Sequence, residues 1–199
     1  MKKIFYLTLL TSLSIFSQNP IVDITDSELG LPGGYYVKDI NNQLDVFEGT
    51  YLYTKGNTSF KIILVKKVQQ YNGRYYEDLI IGEYQYIENG TEVVNTLNEI
   101  NTVYNNQRVH NIDGNHIVHN NFRLFRCPEC AVGEKRLSGS IKDASTNRYA
   151  DFCIRRIAEN GQEVMKIKIG FVERTFQTAD EPTPPEFSLP LGEITLVKQ

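Results

Sequence analysis

The chain has 199 residues and a formal net charge of -3, with 24 acidic and 21 basic residues spread along its length. This length fits one domain with a substantial core. The mildly acidic balance gives no electrostatic basis for binding nucleic acid or an anionic membrane surface. After the first segment, no run is apolar and long enough to span a bilayer as a helix.

The first segment, residues 1–17, has the pattern of a secretory signal peptide. Lys2 and Lys3 are followed by an apolar run over 4–16, and Ser17 begins a short polar exit. A basic start with an apolar run of this length is typical of a signal peptide and too short for a membrane span. We therefore expect cleavage near Ser17, a secreted or periplasmic location, and a single β domain over residues 18–199.

Composition and turn signals predict an all-β fold. The 12 Tyr and 10 Phe accompany many β-branched residues, and both kinds suit a pleated, half-buried surface. Asn-Gly pairs at 72–73, 89–90 and 160–161 and an Asp-Gly pair at 113–114 lie near apolar runs. Such pairs supply the positive φ angles of tight hairpin turns. The pattern predicts an antiparallel meander of about nine or ten strands.

The elements begin with a helical turn and a hairpin. Apolar residues with helical spacing over 40–47, behind Asp39 as a suitable N-cap, predict one short helical turn before the first main strand. That strand is predicted over 46–54, and a second strand, apolar on both faces, over 59–68. Because Gly49 has no side chain, we expect a neighbouring element to approach closely there.

The rest of the chain continues the meander. Further strands are predicted over 75–87, 91–97, 100–104, 115–120, 122–126, 135–143, 149–158 and 164–172. In the last of these, Met165, Ile167, Ile169 and Phe171 should face inward. Four prolines within 178–190 predict an extended strap that leads to a terminal strand over 192–198. A terminal strand delivered in this way favours closure into a barrel, with a half-open sandwich as the alternative.

Two resemblances concern the start of the β domain. The stretch from Tyr35 to Tyr51, YYVKDINNQLDVFEGTY, resembles the opening of a family of small secreted proteins of flavobacterial type. In that family a Phe-x-Gly-Thr-Trp pattern starts a β domain and no function is assigned, so the resemblance implies no catalytic residues. It covers residues 35–97 and the terminal Leu-Val-Lys-Gln at 196–199.

The second resemblance is to the lipocalin and calycin barrels. Gly49-Thr-Tyr51 follows a helical turn, where those barrels carry Gly-x-Trp with the ring at the barrel floor. Tyr51 stands in the place of that Trp. The resemblance implies a late arginine packed over the ring, and spacing alone does not select one.

A barrel of this kind would enclose aromatic and aliphatic side chains. Those predicted to line its interior are Tyr51, Tyr53, Phe60, Tyr84, Ile167 and Ile169. Such a wall suits a small apolar ligand, but in most small barrels the same side chains simply fill a core. The sequence therefore predicts a structural or interaction module, with a cell-surface protein as one kind of partner. The alternative is a lipocalin-like barrel that binds a small apolar ligand.

The three cysteines are the residues most suggestive of chemistry. In a secreted protein a disulfide is favoured, and it could join Cys127 to Cys130 or either of them to Cys153. The alternative is a zinc site formed by His116, His119, Cys127 and Cys130. If 116–119 is a strand, however, the two imidazoles point to opposite faces. We expect the disulfide, and no cofactor.

Nothing in the sequence indicates an enzyme. It lacks Gly-x-Ser-x-Gly, His-Glu-x-x-His, a phosphate loop and a dinucleotide fingerprint. Its carboxylates are mostly scattered singly, which is more typical of solvated faces than of an acid–base pair. The richest basic segment runs from Arg123 to Arg156 and also holds acidic residues. Exposed strand faces are therefore favoured there over a phosphate-binding surface.

Overall fold

Within residues 19–26, 31–174 and 183–199, which are those the structure describes, the computed structural model contains eleven strands and three short 3₁₀ helices. The strands are β1 (Ile21–Asp23), β2 (Tyr36–Lys38), β3 (Gly49–Lys55), β4 (Thr58–Tyr71), β5 (Tyr76–Glu88), β6 (Thr91–Asn95), β7 (Ile112–Val118), β8 (Arg136–Asp143), β9 (Arg148–Glu159), β10 (Gln162–Gly170) and β11 (Gly192–Lys198). The 3₁₀ helices are Asp45–Phe47, Leu97–Glu99 and Gln107–Val109. In this part of the chain, no helix has the length and apolar character needed to cross a lipid bilayer.

Eight of the strands close an antiparallel barrel. Strands β3, β4 and β5 form a meander, β7 pairs with β5, and β8 to β11 each lie beside the strand before them. The last strand, β11, then pairs with β3, with Val197 opposite Leu52 and Lys198 opposite Tyr51. The predicted all-β meander and the predicted closure of the terminal strand against an early one are confirmed. Closure leaves the barrel strands without a free edge.

The edge of β5 away from β4 has three successive partners. β2 pairs with it in parallel at Tyr76 and Glu77, β7 pairs antiparallel over 80–82, and β6 pairs antiparallel over 85–88. β1 extends this corner by pairing in parallel with β2. These parallel pairs depart from the predicted antiparallel plan, because strands of three residues are too short to show an alternating pattern.

Two Asn-Gly pairs form the expected hairpin turns. The φ angles are 51° and 84° at Asn89-Gly90 and 51° and 78° at Asn160-Gly161, as a type I′ turn requires. Asn72-Gly73 lies in a longer connection, where the Asn72 side chain accepts hydrogen bonds from the backbone N–H groups of Arg74 and Tyr75.

The turn predicted at Asp113-Gly114 is wrong, because both residues lie inside β7. Gly114 pairs with Gly139 of β8, and a Cβ atom on Gly139 would lie 2.1 Å from the carbonyl oxygen of Asp113. The glycines therefore serve the close approach of two strands, and not a reversal of the chain.

The predicted strands over 100–104 and 122–126 are also absent from the described structure. In the second segment, the N–H of Phe122 donates to the carbonyl of His119, and that of Cys127 donates to Asn120. The backbone groups are thus used in local turns, and not in a ladder with a neighbouring strand.

One end of the barrel is closed by the predicted helical turn, which is a 3₁₀ helix. The carboxylate of Asp39 accepts the N–H groups of Gln43 and Leu44 at 2.7 and 2.9 Å, ahead of the helix. The N-cap position itself is Leu44, which has no side-chain cap, so the prediction of Asp39 as the N-cap is wrong. Leu44 and Phe47 are buried against the core, whereas Ile40, whose spacing places it on the same apolar face, is 53% exposed. The turn is too short to bury that position.

The other end of the barrel carries the described part of the strap, residues 183–190. Leu189 is buried and Phe187 packs on the core. The N–H of Ser188 donates to the Asp143 carboxylate at 2.6 Å. The strap is therefore tied to the last residue of β8 before it continues into β11. Residues 178–182 of the predicted strap lie outside the described residues.

The inward face of β10 is confirmed for three of its four predicted residues. Met165, Ile167 and Ile169 are buried, but Phe171 is 56% exposed. β10 ends at Gly170, and Phe171 has a φ of 54°. The strand period therefore does not reach Phe171, whose ring instead packs edge-on against Phe125.

Candidate functional site: a basic cavity beneath the disulfide loop

The six residues predicted to line a ligand site all belong to the barrel core. Tyr51, Phe60, Tyr84, Ile167 and Ile169 are buried in one apolar cluster, and Tyr53 is partly buried against it. The hydroxyl of Tyr84 donates to the carbonyl of Lys142 at 2.7 Å and accepts from the N–H of Ala144 at 3.0 Å. Four cavities of the described structure are lined by other residues, and none of the six is among them. Their role as a ligand wall stays a prediction.

The closed end has the arrangement that the lipocalin resemblance implies. Tyr51 is fully buried, and its hydroxyl lies 3.1 Å from the carbonyl oxygens of Phe47 and Glu48. The guanidinium of Arg156 lies 5.9 Å from the centroid of its ring. Arg156 also donates to the carbonyl oxygen of Val46 in the 3₁₀ helix. Arg156 is therefore the arginine of the described structure that packs over the Tyr51 ring.

The three cysteines form one disulfide and leave one free thiol. Cys127 and Cys130 are joined by a disulfide with an S–S distance of 1.98 Å, and Cys153 is a buried free thiol. Burial raises the pKa of Cys153 to about 11, although Arg136 and Lys168 act in the opposite direction. Cys153 is therefore a protonated thiol at neutral pH.

The zinc alternative has no ligand set in the described part of the chain. Both sulfur atoms of the Cys127–Cys130 pair are used in the disulfide, and a thiolate is the form that binds zinc. The side chain that lies near these sulfurs is Glu129. Neither His116 nor His119 belongs to that group.

The disulfide lies in a loop that folds over the outer wall of the barrel. Beneath this loop, against β8 to β11, is a cavity of about 190 Å³, which we call the basic cavity. Five cations line it: Arg126, Arg136, Arg155, Lys166 and Lys168. The lining also contains two carboxylates, Glu129 and Glu193, and two cysteines, Cys127 and Cys153.

Two of the five cations have carboxylate partners. Arg155 lies directly opposite Lys166 in the β9–β10 ladder, and like charges in such a pair repel. Arg155 is compensated by Glu129 at 3.3 Å and Glu134 at 3.1 Å, and Lys166 by Glu159 at 2.6 Å. A guanidinium N–H of Arg155 also lies 3.3 Å from Cys127 Sγ, which ties the loop to the wall.

Arg136 is the most deeply placed cation of the basic cavity. It is only 4% exposed, and one guanidinium N–H donates to the carbonyl of His119 at 2.7 Å. Its Nε is buried without a hydrogen-bond partner. Among the described residues, Arg126, Arg136 and Lys168 form no ion pair. Lys168 lies opposite Glu193 in the β10–β11 ladder. The sequence-based expectation of exposed strand faces is therefore wrong for Arg136.

A second polar cluster lies on the barrel wall and holds the Asn-rich middle of the chain. Arg108 contacts the Glu77 carboxylate at 2.6 and 2.7 Å and Asp113 at 2.5 Å. Nearby, His110 Nδ1 lies 2.7 Å from Glu83, and both side chains are fully buried. These contacts join distant segments, so the singly scattered carboxylates of the sequence do not reveal them.

The fold defines the class of protein as an eight-stranded, up-and-down β-barrel with an arginine and an aromatic ring at its closed end. The chain belongs to a family of unknown function, DUF6705, whose model matches residues 1–199. No curated protein and no solved structure matches it. The family therefore agrees with the resemblance to proteins without an assigned function, and the barrel is consistent with the resemblance to lipocalins.

Proposed function

We propose that the protein is a non-enzymatic binding module, in which the barrel is a rigid scaffold and the outer wall of β8 to β11 is the binding surface. One observation carries this proposal. The interior is filled by buried apolar side chains such as Phe60, Tyr84 and Ile167. The basic cavity on the wall, in contrast, has three cations that form no ion pair among the described residues, namely Arg126, Arg136 and Lys168. A binding function is therefore better supported outside the barrel than inside it.

The buried acid–base groups support a role without catalysis. His110 and Glu83 contact each other at 2.7 Å, but neither lines one of the four cavities. A groove of about 400 Å³ contains His116 and Asp151, and burial lowers the pKa of His116 and raises that of Asp151. No hydrogen bond joins these two side chains in the described structure. A general acid or base must come within hydrogen-bond reach of a substrate proton, and the fully buried side chains of His110 and Glu83 have no such access.

We also propose that the protein acts outside the cytoplasm, as the resemblance to small secreted proteins implies. The disulfide between Cys127 and Cys130 supports this location, because such bonds persist in oxidising compartments. The signal-peptide pattern over 1–17 supports it as well, and that segment lies outside the described residues.

The second candidate function is binding of a small apolar ligand inside the barrel. It is favoured by the packing of Arg156 over Tyr51, which resembles the closed end of lipocalins. The two functions differ in which face of β10 matters. Ile167 is fully buried in the barrel, and the next residue, Lys168, lines the basic cavity.

A matched pair of variants on β10 tests the scaffold role. Ile167→Ala should lower the free energy of unfolding by about 2–5 kcal/mol, and Lys168→Ala should change it by less than about 0.5 kcal/mol. A fluorescent fatty acid should show no saturable binding to the wild-type protein. Native mass spectrometry of protein purified from its own host should find no stoichiometric apolar molecule. Saturable fatty-acid binding that Ile167→Ala weakens and Lys168→Ala leaves intact would establish the apolar-ligand alternative instead.

A further inference from the structure

We propose that the basic cavity is a binding site for an oxyanion, namely a phosphate or sulfate group, and that Arg136 is its central ligand. This inference rests on the proposed function, because it assigns a ligand class to the same outer-wall surface. It is carried by the state of Arg136, by the surplus of cations around it, and by the size of the cavity.

Arg136 is a buried charge that the protein compensates only in part. With 4% exposure, a guanidinium loses most of its hydration, and such burial is unfavourable unless a counter-charge replaces the water. The carbonyl of His119 satisfies one N–H, but Nε has no partner. Buried polar groups are nearly always satisfied in native proteins, so a buried guanidinium with an unpaired N–H favours a counter-charge in the cavity that the residue lines. An oxyanion in the basic cavity would supply it.

The neighbouring charges favour an anion at the same place. Arg155 and Lys166 already have their own carboxylates. The other three cations of the lining, Arg126, Arg136 and Lys168, share the cavity with one remaining carboxylate, that of Glu193. Glu129 on the rim has a side chain that is 59% exposed, and it contacts Arg155. The remaining balance within the cavity is positive, and it includes two arginines, whose forked donors match the oxygens of phosphate and sulfate.

The dimensions of the cavity select a small group. A volume of about 190 Å³ is below the roughly 300–1,000 Å³ of sites that enclose drug-sized ligands. The free ion, or the phosphate or sulfate end of a larger ester, therefore fits the cavity better than a whole organic ligand. The disulfide loop forms one wall, through Cys127, Pro128 and Glu129. The Cys127–Cys130 bond thus holds that wall over Arg136.

The test measures binding of inorganic phosphate and inorganic sulfate to the full protein by calorimetry and by amide shifts in NMR spectra, at constant ionic strength. We expect saturable binding, with shifts at residues of β9, β10 and the 127–130 loop. Lys168→Ala should weaken binding by about tenfold or more, because it removes a charged donor. Lys55→Ala is the matched control, because Lys55 is an exposed lysine on β3 and its replacement removes the same charge away from the cavity. It should change affinity by less than about twofold.

Arg136→Met is the more direct variant, because it keeps an unbranched apolar side chain and removes the guanidinium. We expect it to abolish saturable phosphate binding while the protein keeps its barrel, as judged by its circular dichroism and a cooperative thermal transition. If Arg136→Met does not fold, Lys168→Ala against Lys55→Ala still decides the question. Equal affinity of those two variants would overturn the proposal, as would the absence of saturable phosphate and sulfate binding.

Two further arms separate related outcomes. Glycerol 3-phosphate compared with inorganic phosphate distinguishes a site for phosphate esters from one for the free ion. Binding of a sulfated oligosaccharide and of a carboxylate-rich peptide distinguishes the oxyanion site from the broader proposal that the outer wall is a binding surface. If either of these binds and Lys168→Ala weakens it while phosphate and sulfate do not bind, the oxyanion site is wrong but the outer wall is the binding surface. If no anion binds and a fatty acid does, the proposed function itself is wrong.

Discussion

The guanidinium of Arg156 lies 5.9 Å from the centroid of the Tyr51 ring, at the closed end of the barrel. The same side chain donates to the Val46 carbonyl in the 3₁₀ helix and forms an ion pair with Glu163 at 2.8 Å. Arg156 therefore connects β9, the ring on β3 and the helix that covers the barrel end. Its main contribution is to join elements that are distant in sequence.

Removal of Arg156 should loosen that end of the barrel. We expect Arg156→Ala to lower the free energy of unfolding by about 1–3 kcal/mol, because it removes a cation–π contact and a hydrogen bond from a charged donor. Urea unfolding monitored by Tyr fluorescence measures the change. Arg123→Ala is the control, since Arg123 is exposed. Equal stability of the two variants would show that the Arg156–Tyr51 contact does not support the fold.

The free thiol of Cys153 should react slowly and become a source of instability at high pH. Burial raises its pKa to about 11, so at pH 8 only about one thiol in a thousand is ionised. Alkylation by iodoacetamide should therefore accelerate up to about pH 11 in the folded protein, but level off near pH 9 in urea. Early levelling in the folded protein would contradict the raised pKa.

The same shift has a consequence for stability. Between the ordinary thiol pKa and about pH 11, the unfolded chain releases a proton that the folded chain retains. The free energy of unfolding contributed by Cys153 is therefore complete below that range and is lost as the pH rises through it. Cys153→Ala should show a shallower fall in stability between pH 9 and pH 11. Buried tyrosines such as Tyr84 also titrate at high pH, so the comparison with wild type isolates the thiol.

A methyl group at Gly139 should disrupt the contact between β7 and β8. Its Cβ would lie 2.1 Å from the Asp113 carbonyl oxygen and 2.6 Å from Gly114 Cα, and both are backbone atoms. We expect Gly139→Ala to destabilise the barrel by more than about 3 kcal/mol. In Gly170→Ala, the nearest atom is the Phe125 ring at an ordinary 3.9 Å, so this variant is the matched control. Similar denaturation midpoints for both variants would contradict the close approach of the strands.

The parts of the fold that follow local patterns could be predicted from the sequence. In β10, Ile167 and Ile169 alternate with Lys166 and Lys168, and this alternation alone separates the barrel interior from its outer wall. The turn signal at 160–161 fixes the hairpin before it. The pattern fails at Phe171, because nothing local indicates that the ladder ends one residue earlier. It fails again at Asp113-Gly114, where a dipeptide typical of turns lies inside β7 and allows β7 and β8 to pack closely.

The candidate site could not be predicted in this way, because it depends on what covers the outer wall. On β8, Leu137 points into the barrel, so strand alternation places the preceding residue, Arg136, on the outer face and predicts an exposed arginine. Its burial comes from the loop between β7 and β8, which folds back over three other strands and is held by the disulfide. Such a contact joins residues that no local alternation pattern relates to each other. From the sequence alone, the basic segment is therefore interpreted as a solvent-exposed strand face.

Asp143 should make the docking of the strap sensitive to acid. Burial alone would raise the pKa of this carboxyl, but hydrogen bonds from Ser145 and from the backbone of Ser188 outweigh it and hold the pKa below its usual value. At neutral pH the ionised carboxylate therefore stabilises the folded state. That contribution is lost as the pH falls below the ordinary carboxyl pKa, because the unfolded chain then binds a proton that the folded chain does not.

Asp143→Asn should remove this acid dependence and cost about 1–3 kcal/mol at pH 7, because the charged acceptor is lost. Hydrogen exchange at the Ser188 amide should accelerate in the variant, since that N–H donates to the carboxylate. Glu186→Gln is the control, as it removes a charge from an exposed residue of the same segment. If Ser188 stays equally protected in both variants, Asp143 does not hold the strap. In that case Leu189, buried at the barrel end, is its anchor.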